Sequence, residues 1–312
     1  MTTVRGHVAG ARARLISAGL EREEAGVDAE VLARTALGWD RATYLSNGRT
    51  EAPVAFAERY HRLLERRAQR EPVSLITGHR EFWGLDFEVT SDVLTPRPET
   101  ELLVEAAVAR IEEYDQVRPH VVDVGTGSGC VAVVIARNTD ARLTATDVSH
   151  AAIAVARRNA ERHGVGDRIR WTCTPLLDSV HDTPDVIVAN LPYIPEADIS
   201  TLPPEVRAFE PRIALDGGPD GLRVVTQLVQ VASRRLAAGG YLLVELGLGQ
   251  AASLSRRLDA TSGLEVIDTR DDLQGIPRIV TLRRLSAGSG CPESVDPELA
   301  EDIDGRRPGP MR

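Results

Sequence analysis

The chain has 312 residues with a net charge of −9, and its 42% hydrophobic fraction suffices for the cores of about two domains. All 37 basic residues are arginine, which excludes lysine-dependent aldolases, pyridoxal-phosphate enzymes and Walker-type ATPases. The apolar runs are shorter than the ~18 residues of a membrane span, and we recognise no secretory signal. Three cysteines without a CxxC pair (Cys130, Cys173 and Cys291) argue against disulfides and zinc. We therefore expect a cytoplasmic protein without a membrane or metal partner.

Apolar residues at helical spacing, interrupted by glycines, predict a small helical domain over residues 1–70. This segment holds twelve arginines and nine acidic residues, a net charge of +3. Arg62, Arg66, Arg67 and Arg70 fall on one helical stretch. We interpret them as a solvated helix face, with a docking surface for a partner as the alternative.

Residues 71–98 have a strand-like, aromatic pattern with Phe82, Trp83 and Phe87, and they end in a proline-rich interruption. We predict that this segment is a connector. Helices then alternate with strands over residues 99–285. The predicted strands lie at 120–124, 143–146, near 169, 184–189, 241–246, 264–269 and 278–282, and the principal helices at 99–113, 129–137, 150–163 and 222–238.

Strands separated by helices predict an α/β fold with a doubly wound, mostly parallel sheet, and the last two strands are expected to form an antiparallel hairpin. Residues 286–312 are rich in Gly, Pro, Ser and acidic residues, and we predict a disordered tail. The helical segment carries +3 and the tail −3, so residues 71–285 carry −9.

The first chemical motif is a glycine-rich turn that follows the apolar strand at 120–124 and opens a helix. A dinucleotide fingerprint would require Gly or Ala where this chain has Cys130. The observed G-x-G-x-G spacing, with Asp123 two residues earlier, is the pattern of class I methyltransferases, although a structural turn or a nucleotide site remains possible. The candidate cofactor residues of this turn are Gly125, Thr126, Gly127, Ser128 and Gly129.

The second motif is Asp147, which ends the next strand about twenty residues after the turn. A carboxylate at this position can accept hydrogen bonds from a ribose diol. It would serve S-adenosylmethionine or NAD equally well. The alternative is that Asp147 caps the following helix, although Ser149 is available for that role.

The third motif, Asn190-Leu191-Pro192-Tyr193, follows the strand predicted at 184–189 and lies at the carboxyl edge, where open α/β sheets bind ligands. The Asn190 oxygen can accept one N–H of a planar amino or amide group, the Leu191 carbonyl the second, and the Tyr193 ring can stack on the group. These residues would hold the nitrogen in line with a methyl donor, so that catalysis depends on positioning.

At these residues the chain resembles the release-factor protein-(glutamine-N5) methyltransferases of the PrmC/HemK family. The resemblance runs over residues 71–285 and implies a class I methyltransferase fold. The helical segment before it fits the family's N-terminal module. The stretches that carry the resemblance are PVSLITG at 72–78, EFWG at 81–84, TPRPETE at 95–101, the glycine turn, the Asn190 motif, FEP at 209–211, ALDGG at 214–218 and DDLQG at 271–275.

The resemblance implies that S-adenosylmethionine is the methyl donor and that the acceptor is the glutamine of the Gly-Gly-Gln loop of peptide-chain release factors. The turn at 125–129, Asp147 and Asn190 would contact the donor, and Leu176 would pack on its adenine. Asn190 to Tyr193 would hold the glutamine, with Asn190 and Tyr193 as the catalytic pair. Relatives usually have Asn-Pro-Pro-Tyr, so Leu191 replaces a proline while keeping the accepting carbonyl.

Other functions fit parts of these motifs. A DNA adenine-N6 methyltransferase uses a similar site on a flipped base, but a segment at −9 lacks the basic footprint that DNA binding requires. A different protein glutamine or a small-molecule amide as acceptor remains an alternative. A protein that binds S-adenosylmethionine without catalysis is a third.

Overall fold

The computed structural model describes residues 2–114, 118–258 and 263–285. The predicted disordered tail at 286–312, with Cys291, lies outside these residues. The helices are α1 Val4–Ser17, α2 Arg22–Leu37, α3 Arg41–Asn47, α4 Phe56–Ala68, α5 Val73–Thr77, α6 Thr100–Glu112, α7 Cys130–Asn138, α8 His150–Arg162, α9 Pro204–Phe209, α10 Arg223–Arg235 and α11 Gln250–Arg257. The strands are β1 His79–Phe82, β2 Leu85–Glu88, β3 His120–Val124, β4 Arg142–Asp147, β5 Ile169–Cys173, β6 Val186–Ala189, β7 Tyr241–Glu245, β8 Leu264–Asp271 and β9 Pro277–Arg284.

The first five helices share a core of their own. Phe56 and Tyr60 on α4 stack in it at a ring separation of 4.9 Å, and the buried Tyr60 hydroxyl donates to the Ala29 carbonyl at 2.8 Å. Ile76 of α5 belongs to the same cluster of buried side chains. Burial of this apolar stripe, rather than intrinsic propensity, stabilises such short helices.

The main sheet has the strand order β5-β4-β3-β6-β7-β9-β8. Its first five strands run parallel, whereas β9 pairs antiparallel with both β7 and β8. This confirms the predicted doubly wound, mostly parallel sheet with a C-terminal antiparallel hairpin. The chain order reverses at the β3–β6 boundary, so the crevice that such a reversal creates opens at the carboxyl ends of these two strands.

Helices cover both faces of the sheet because the central strands are apolar on both sides. Val121 points into a core with α6 and α7, and its neighbour Val122 points into the opposite core with α10. This alternation along β3 follows from the two-residue period of a strand. The glycine turn and Asn190, which follow β3 and β6, are thereby held on one rigid edge.

The arginines of α4 and its end do not form a single solvated face, so that interpretation is wrong for Arg67, which is 1% exposed. Its guanidinium donates to Asp28 at 2.6 Å, to Glu24 at 2.7 Å and to Glu205 at 3.0 Å. Arg70 also pairs with Glu205, at 2.7 Å. A buried guanidinium requires such partners, which here come from α2 and α9.

The strand-like pattern of the connector corresponds to β1 and β2, which pair antiparallel as a hairpin. Trp83 and Gly84 form its turn with φ of 56° and 69°. The Trp83 N–H donates to Glu101 at 2.7 Å, so Glu101 ties this hairpin to α6. Within the residues that the structure describes, no helix combines the length and apolar character needed to cross a membrane.

Candidate active site

The glycine turn between β3 and α7 brings the backbone close to two other segments. Gly125 has a φ of 75°, and a Cβ there would lie 2.9 Å from Cδ2 of Leu191. Gly129 has a φ of 80°, and its Cβ would lie 2.9 Å from that of Ala156 on α8. Only glycine avoids both the strained backbone and the collision at these two positions.

Asp147 lies at the end of β4 and faces the glycine turn. Its carboxylate accepts the N–H of Gly127 at 3.0 Å and the N–H of Ser149 at 2.9 Å. A carboxylate has about four acceptor positions, so two remain for a ligand. Ser149 itself caps α8 by accepting the Ala152 N–H at 3.1 Å. The helix-cap alternative for Asp147 therefore has another residue in that role.

A cavity of about 530 Å³ opens along this edge of the sheet, within the ordinary size range of small-molecule sites. It brings together most of the residues that the sequence predicted to bind a cofactor. Gly129 is the exception, since its backbone packs on α8 instead. The predicted residues that line the cavity are Gly125, Thr126, Gly127, Ser128, Asp147, Leu176, Asn190, Leu191 and Pro192.

The wall near Leu176 has a constrained backbone. Leu176 has a φ of 43°, and its carbonyl accepts the Thr146 hydroxyl at 2.9 Å. The neighbouring Pro175 is exposed, and Thr174 is buried against the cavity. The structure thus offers an apolar side chain at 176 and a hydroxyl at 174, and no polar side chain at 175.

Asp123 lies beneath the glycine turn and lines the cavity floor. Its carboxylate accepts the Thr126 hydroxyl at 2.7 Å. Burial raises the pKa of Asp123 to about 7, although hydrogen bonds from Thr126 and the Ala132 backbone oppose the shift. This carboxyl group therefore titrates near neutral pH, next to the predicted cofactor site.

Asn190 follows β6 at the edge of the cavity. Its Nδ2 donates to the hydroxyl of Thr100, the first residue of α6, at 3.0 Å. Within the described part of the chain, no hydrogen bond reaches Oδ1 of Asn190. This oxygen is therefore the one that can accept an N–H from a ligand in the cavity.

Leu191 and Tyr193 extend in different directions from Asn190. Leu191 is 5% exposed and packs in the core beneath the Gly125 turn. The Tyr193 ring is absent from the cavity lining and lies against Gly247, whose Cβ would be 3.1 Å from its Cδ2. Burial raises the pKa of Tyr193 to about 12, so its hydroxyl stays neutral. The stacking role of Tyr193 stays a prediction.

Arg97 links two of the segments that carried the resemblance. Its Nη2 donates to both carboxylate oxygens of Glu210, at 2.7 and 2.6 Å. Burial raises the pKa of Glu210, and the Arg97 charge opposes that shift. Because Arg97 also lines the cavity, this ion pair fixes one wall of the site.

Sequence reasoning missed two residues beside Asn190. Thr100 accepts a hydrogen bond from Nδ2 of Asn190, and its hydroxyl also opposes the raised pKa of Glu245 at the end of β7. Glu245 is 1% exposed, and burial raises its pKa to about 7. A lone carboxylate ending an otherwise apolar strand was the available signal, because such a group is rarely buried without a function.

The fold is shared with a solved structure of a methyltransferase from Pyrococcus furiosus, with 19% identity and a TM-score of 0.50, over 74% of this chain and all of that one. A family model of ribosomal protein L11 methyltransferase matches residues 101–201, which include the glycine turn and Asn190. The shared doubly wound fold, the site and this family match together indicate the methyltransferase class.

Closer sequence relatives narrow this class. A release factor glutamine methyltransferase from Bradyrhizobium diazoefficiens is 39% identical over 88% of this chain and 92% of its own length. The relative of that name from Geobacter sulfurreducens is 43% identical over 83% of this chain and 89% of its own. The family model of the PrmC N-terminal domain matches residues 8–78. The chain belongs to the release factor glutamine methyltransferase family.

Proposed function

We propose that the protein transfers a methyl group from S-adenosylmethionine to the side-chain amide nitrogen of the glutamine in the Gly-Gly-Gln motif of peptide-chain release factors. Membership of the family supports this acceptor. The observation that carries the chemistry is the Asn190 carboxamide at the rim of the cavity, which is anchored through Nδ2 while its oxygen accepts no hydrogen bond from the described residues.

The residues around the cavity fit S-adenosylmethionine. The glycine turn leaves room for a ligand against the backbone, and Asp147 keeps two acceptor positions suited to the ribose hydroxyls. Leu176 offers an apolar surface for the adenine. When bound, this donor would supply an electrophilic sulfonium methyl group, whose carbon can form a bond to nitrogen as the S–C bond breaks and its electron pair stays on sulfur.

Asn190 and Leu191 would hold the acceptor by accepting its two N–H groups, through Oδ1 and the backbone carbonyl. Tyr193 would lie beside the planar amide, and Pro192 would shape the loop. This arrangement directs the nitrogen lone pair at the methyl carbon. The methylated nitrogen would then release a proton to water. Positioning and stabilisation of the developing positive charge provide the catalysis.

The three segments of the chain would have different roles. In this proposal the helical residues 1–70 help to dock the release factor, residues 71–98 are the connector, and residues 99–285 are the catalytic domain. The net charge of −9 over residues 71–285 supports a protein acceptor rather than direct binding of nucleic acid. The reaction would take place in the cytoplasm, where translation terminates.

The test incubates the purified protein with S-adenosylmethionine and a release factor, followed by peptide mass spectrometry. We expect one added methyl group on the glutamine of the Gly-Gly-Gln peptide. A release factor with that glutamine replaced by alanine should gain none. A binding titration with S-adenosylhomocysteine confirms that the cofactor site is competent. A protein that binds this ligand but leaves the glutamine unmodified has a different acceptor.

A further inference from the structure

Thr100 accepts a hydrogen bond from Asn190 at 3.0 Å, and the buried carboxylate of Glu245 lies beside both residues at the end of β7. We propose that Thr100 and Glu245 are positioning residues, which orient the Asn190 carboxamide so that its oxygen, and not its NH₂ group, faces the acceptor amide. The inference rests on the proposed function of Asn190 and adds two residues to its machinery.

The fold brings the three side chains together from separate elements. In the parallel pairing of β6 with β7, Ala189 lies opposite Val244. Asn190 directly follows β6 and Glu245 is the last residue of β7, so these two residues lie side by side at the edge of the sheet. Thr100 begins α6, which packs across both strands. Helix α6 and the two strands therefore hold these three side chains in place.

The direction of each hydrogen bond follows from the available protons. A threonine hydroxyl has one hydrogen to donate, and an ionised carboxylate can only accept. In our proposal an ionised Glu245 accepts the hydrogen of the Thr100 hydroxyl, as the pKa-lowering effect of Thr100 on Glu245 indicates, so Thr100 can only accept from Asn190. The observed contact, Nδ2 of Asn190 to the Thr100 oxygen at 3.0 Å, has this direction. Oδ1 must then point away from Thr100.

Protonation of Glu245 would remove this constraint. A neutral carboxyl group can donate to Thr100, whose own hydrogen then becomes free to bind Oδ1 of a flipped Asn190. The flipped carboxamide would present its NH₂ group to the N–H of the acceptor, and the two donors repel. Binding of the acceptor in the reactive geometry should therefore weaken when Glu245 takes up a proton.

The surroundings of Glu245 place this change near neutral pH. Its Oε2 is buried and has no hydrogen-bond partner within the described residues. Burial raises the pKa of Glu245 to about 7. The titratable and charged groups that face it are Glu99 before α6, which adds to the shift, Arg97 and Arg278 on β9, which oppose it, and Tyr193 and Cys130, whose own pKa values its charge raises.

The first experiment observes the Asn190 side chain without any acceptor. The chain contains four asparagines (Asn47, Asn138, Asn159 and Asn190), so selective ¹⁵N-amide labelling gives a simple NMR spectrum. We expect the Asn190 NH₂ signals to titrate with a midpoint near the Glu245 pKa of about 7 in the wild type. In Glu245→Gln they should stay constant. A wild-type signal that does not move across this range, or one that moves equally in the variant, overturns the proposal.

The second experiment measures methylation of the release factor at saturating S-adenosylmethionine. Thr100→Val keeps the size of the side chain but removes the hydroxyl, and we expect kcat to fall about 10- to 100-fold. S-adenosylhomocysteine affinity should change only a few fold. Thr100→Ser, which keeps the hydroxyl, should restore most of the loss, and Thr35→Val on the exposed surface of α2 controls for the substitution itself. Equal kcat in Thr100→Val and the wild type overturns the proposal.

The two proposals fail in distinguishable ways. If the wild type adds no methyl group to the glutamine, the proposed function is wrong, and the NMR titration still tests the orientation of Asn190. If the wild type methylates the glutamine, its kcat should fall as the pH drops below the Glu245 pKa of about 7, and this fall should be absent in Glu245→Gln. The same fall in that variant overturns the role of Glu245.

Discussion

The guanidinium of Arg67 donates to the carboxylate of Glu205 at 3.0 Å across 138 residues of sequence. This ion pair joins α4 to α9, in the segment between β6 and α10 that also supplies Glu210, the partner of the cavity-lining Arg97. The N-terminal helices are therefore attached to a segment that lies around the site.

Replacing Arg67 with methionine should destabilise the fold by about 3–5 kcal/mol, because it leaves Asp28 and Glu205 without their buried partner. Chemical denaturation measures this change. The matched control is Arg62→Met, which removes an exposed pair with Glu58 and should cost under about 1 kcal/mol. Equal effects of the two substitutions would mean that the Arg67 network contributes no more than a surface pair.

Gly125→Ala should combine backbone strain with a collision against Leu191, because the new Cβ would lie 2.9 Å from Cδ2. We expect a loss of about 1–3 kcal/mol in stability, together with weaker binding of S-adenosylhomocysteine. Gly164→Ala separates the two causes, since Gly164 has a similar φ of 70° but no neighbour within 4 Å. If both variants lose the same stability and both bind normally, the turn does not need to approach Leu191 closely.

Asp147→Asn tests the proposed contact with the ribose. The amide keeps one acceptor oxygen, so it cannot accept from Gly127, Ser149 and a diol together. We expect the Kd for S-adenosylhomocysteine to rise about 10- to 100-fold, the usual range for hydrogen bonds to a charged group. Asp182→Asn, at an exposed pair with Arg142, should leave it unchanged. An unaltered Kd in Asp147→Asn, measured by calorimetric titration, would show that Asp147 does not bind the ligand.

Glu245→Gln should make the fold more stable at alkaline pH while it impairs turnover. Burial raises the Glu245 pKa from its ordinary value of 4.5 to about 7, so wild-type stability falls as pH rises through this interval. The variant has no carboxylate to bury, so it lacks this loss of stability, which in the wild type amounts to about 3 kcal/mol once the pH exceeds both pKa values. Urea denaturation at about pH 8.5 and about pH 5 should show an advantage for the variant that mostly disappears at the lower value. Asp123 contributes equally to both proteins, so a difference independent of pH would show that Glu245 is not the cause.

The sequence predicted the fold well where the hydrophobic pattern was strong. Strand β3 occupies the predicted residues 120–124, because a continuous apolar run fits a strand that is buried on both faces. Helix α10 ends at Arg235, three residues before the predicted end, because Leu236 adopts an extended backbone before the Gly239-Gly240 turn. The local pattern marks the approximate end of such a helix but not its last residue.

The candidate site was less predictable because it depends on pairs that are distant in sequence. Local motifs identified Asp147 at the end of β4 and Asn190 just after β6, both at the carboxyl edge of the sheet. They could not reveal that Thr100 anchors Asn190 or that Arg97 binds Glu210, since these contacts arise only when α6 and the segment after β6 pack together. Sequence spacing also could not show that Leu191 packs beneath Gly125 while the Tyr193 ring lies outside the cavity lining.

The most direct test of the account is the turnover of Asn190→Ala on a release factor, with methylation of the Gly-Gly-Gln glutamine counted by peptide mass spectrometry. S-adenosylhomocysteine affinity is titrated in the same preparation. We expect Asn190→Ala to bind S-adenosylhomocysteine within a few fold of the wild-type affinity and to lose most turnover, because the carboxamide that holds the acceptor is gone. Wild-type turnover in this variant would contradict the placement of the glutamine at Asn190.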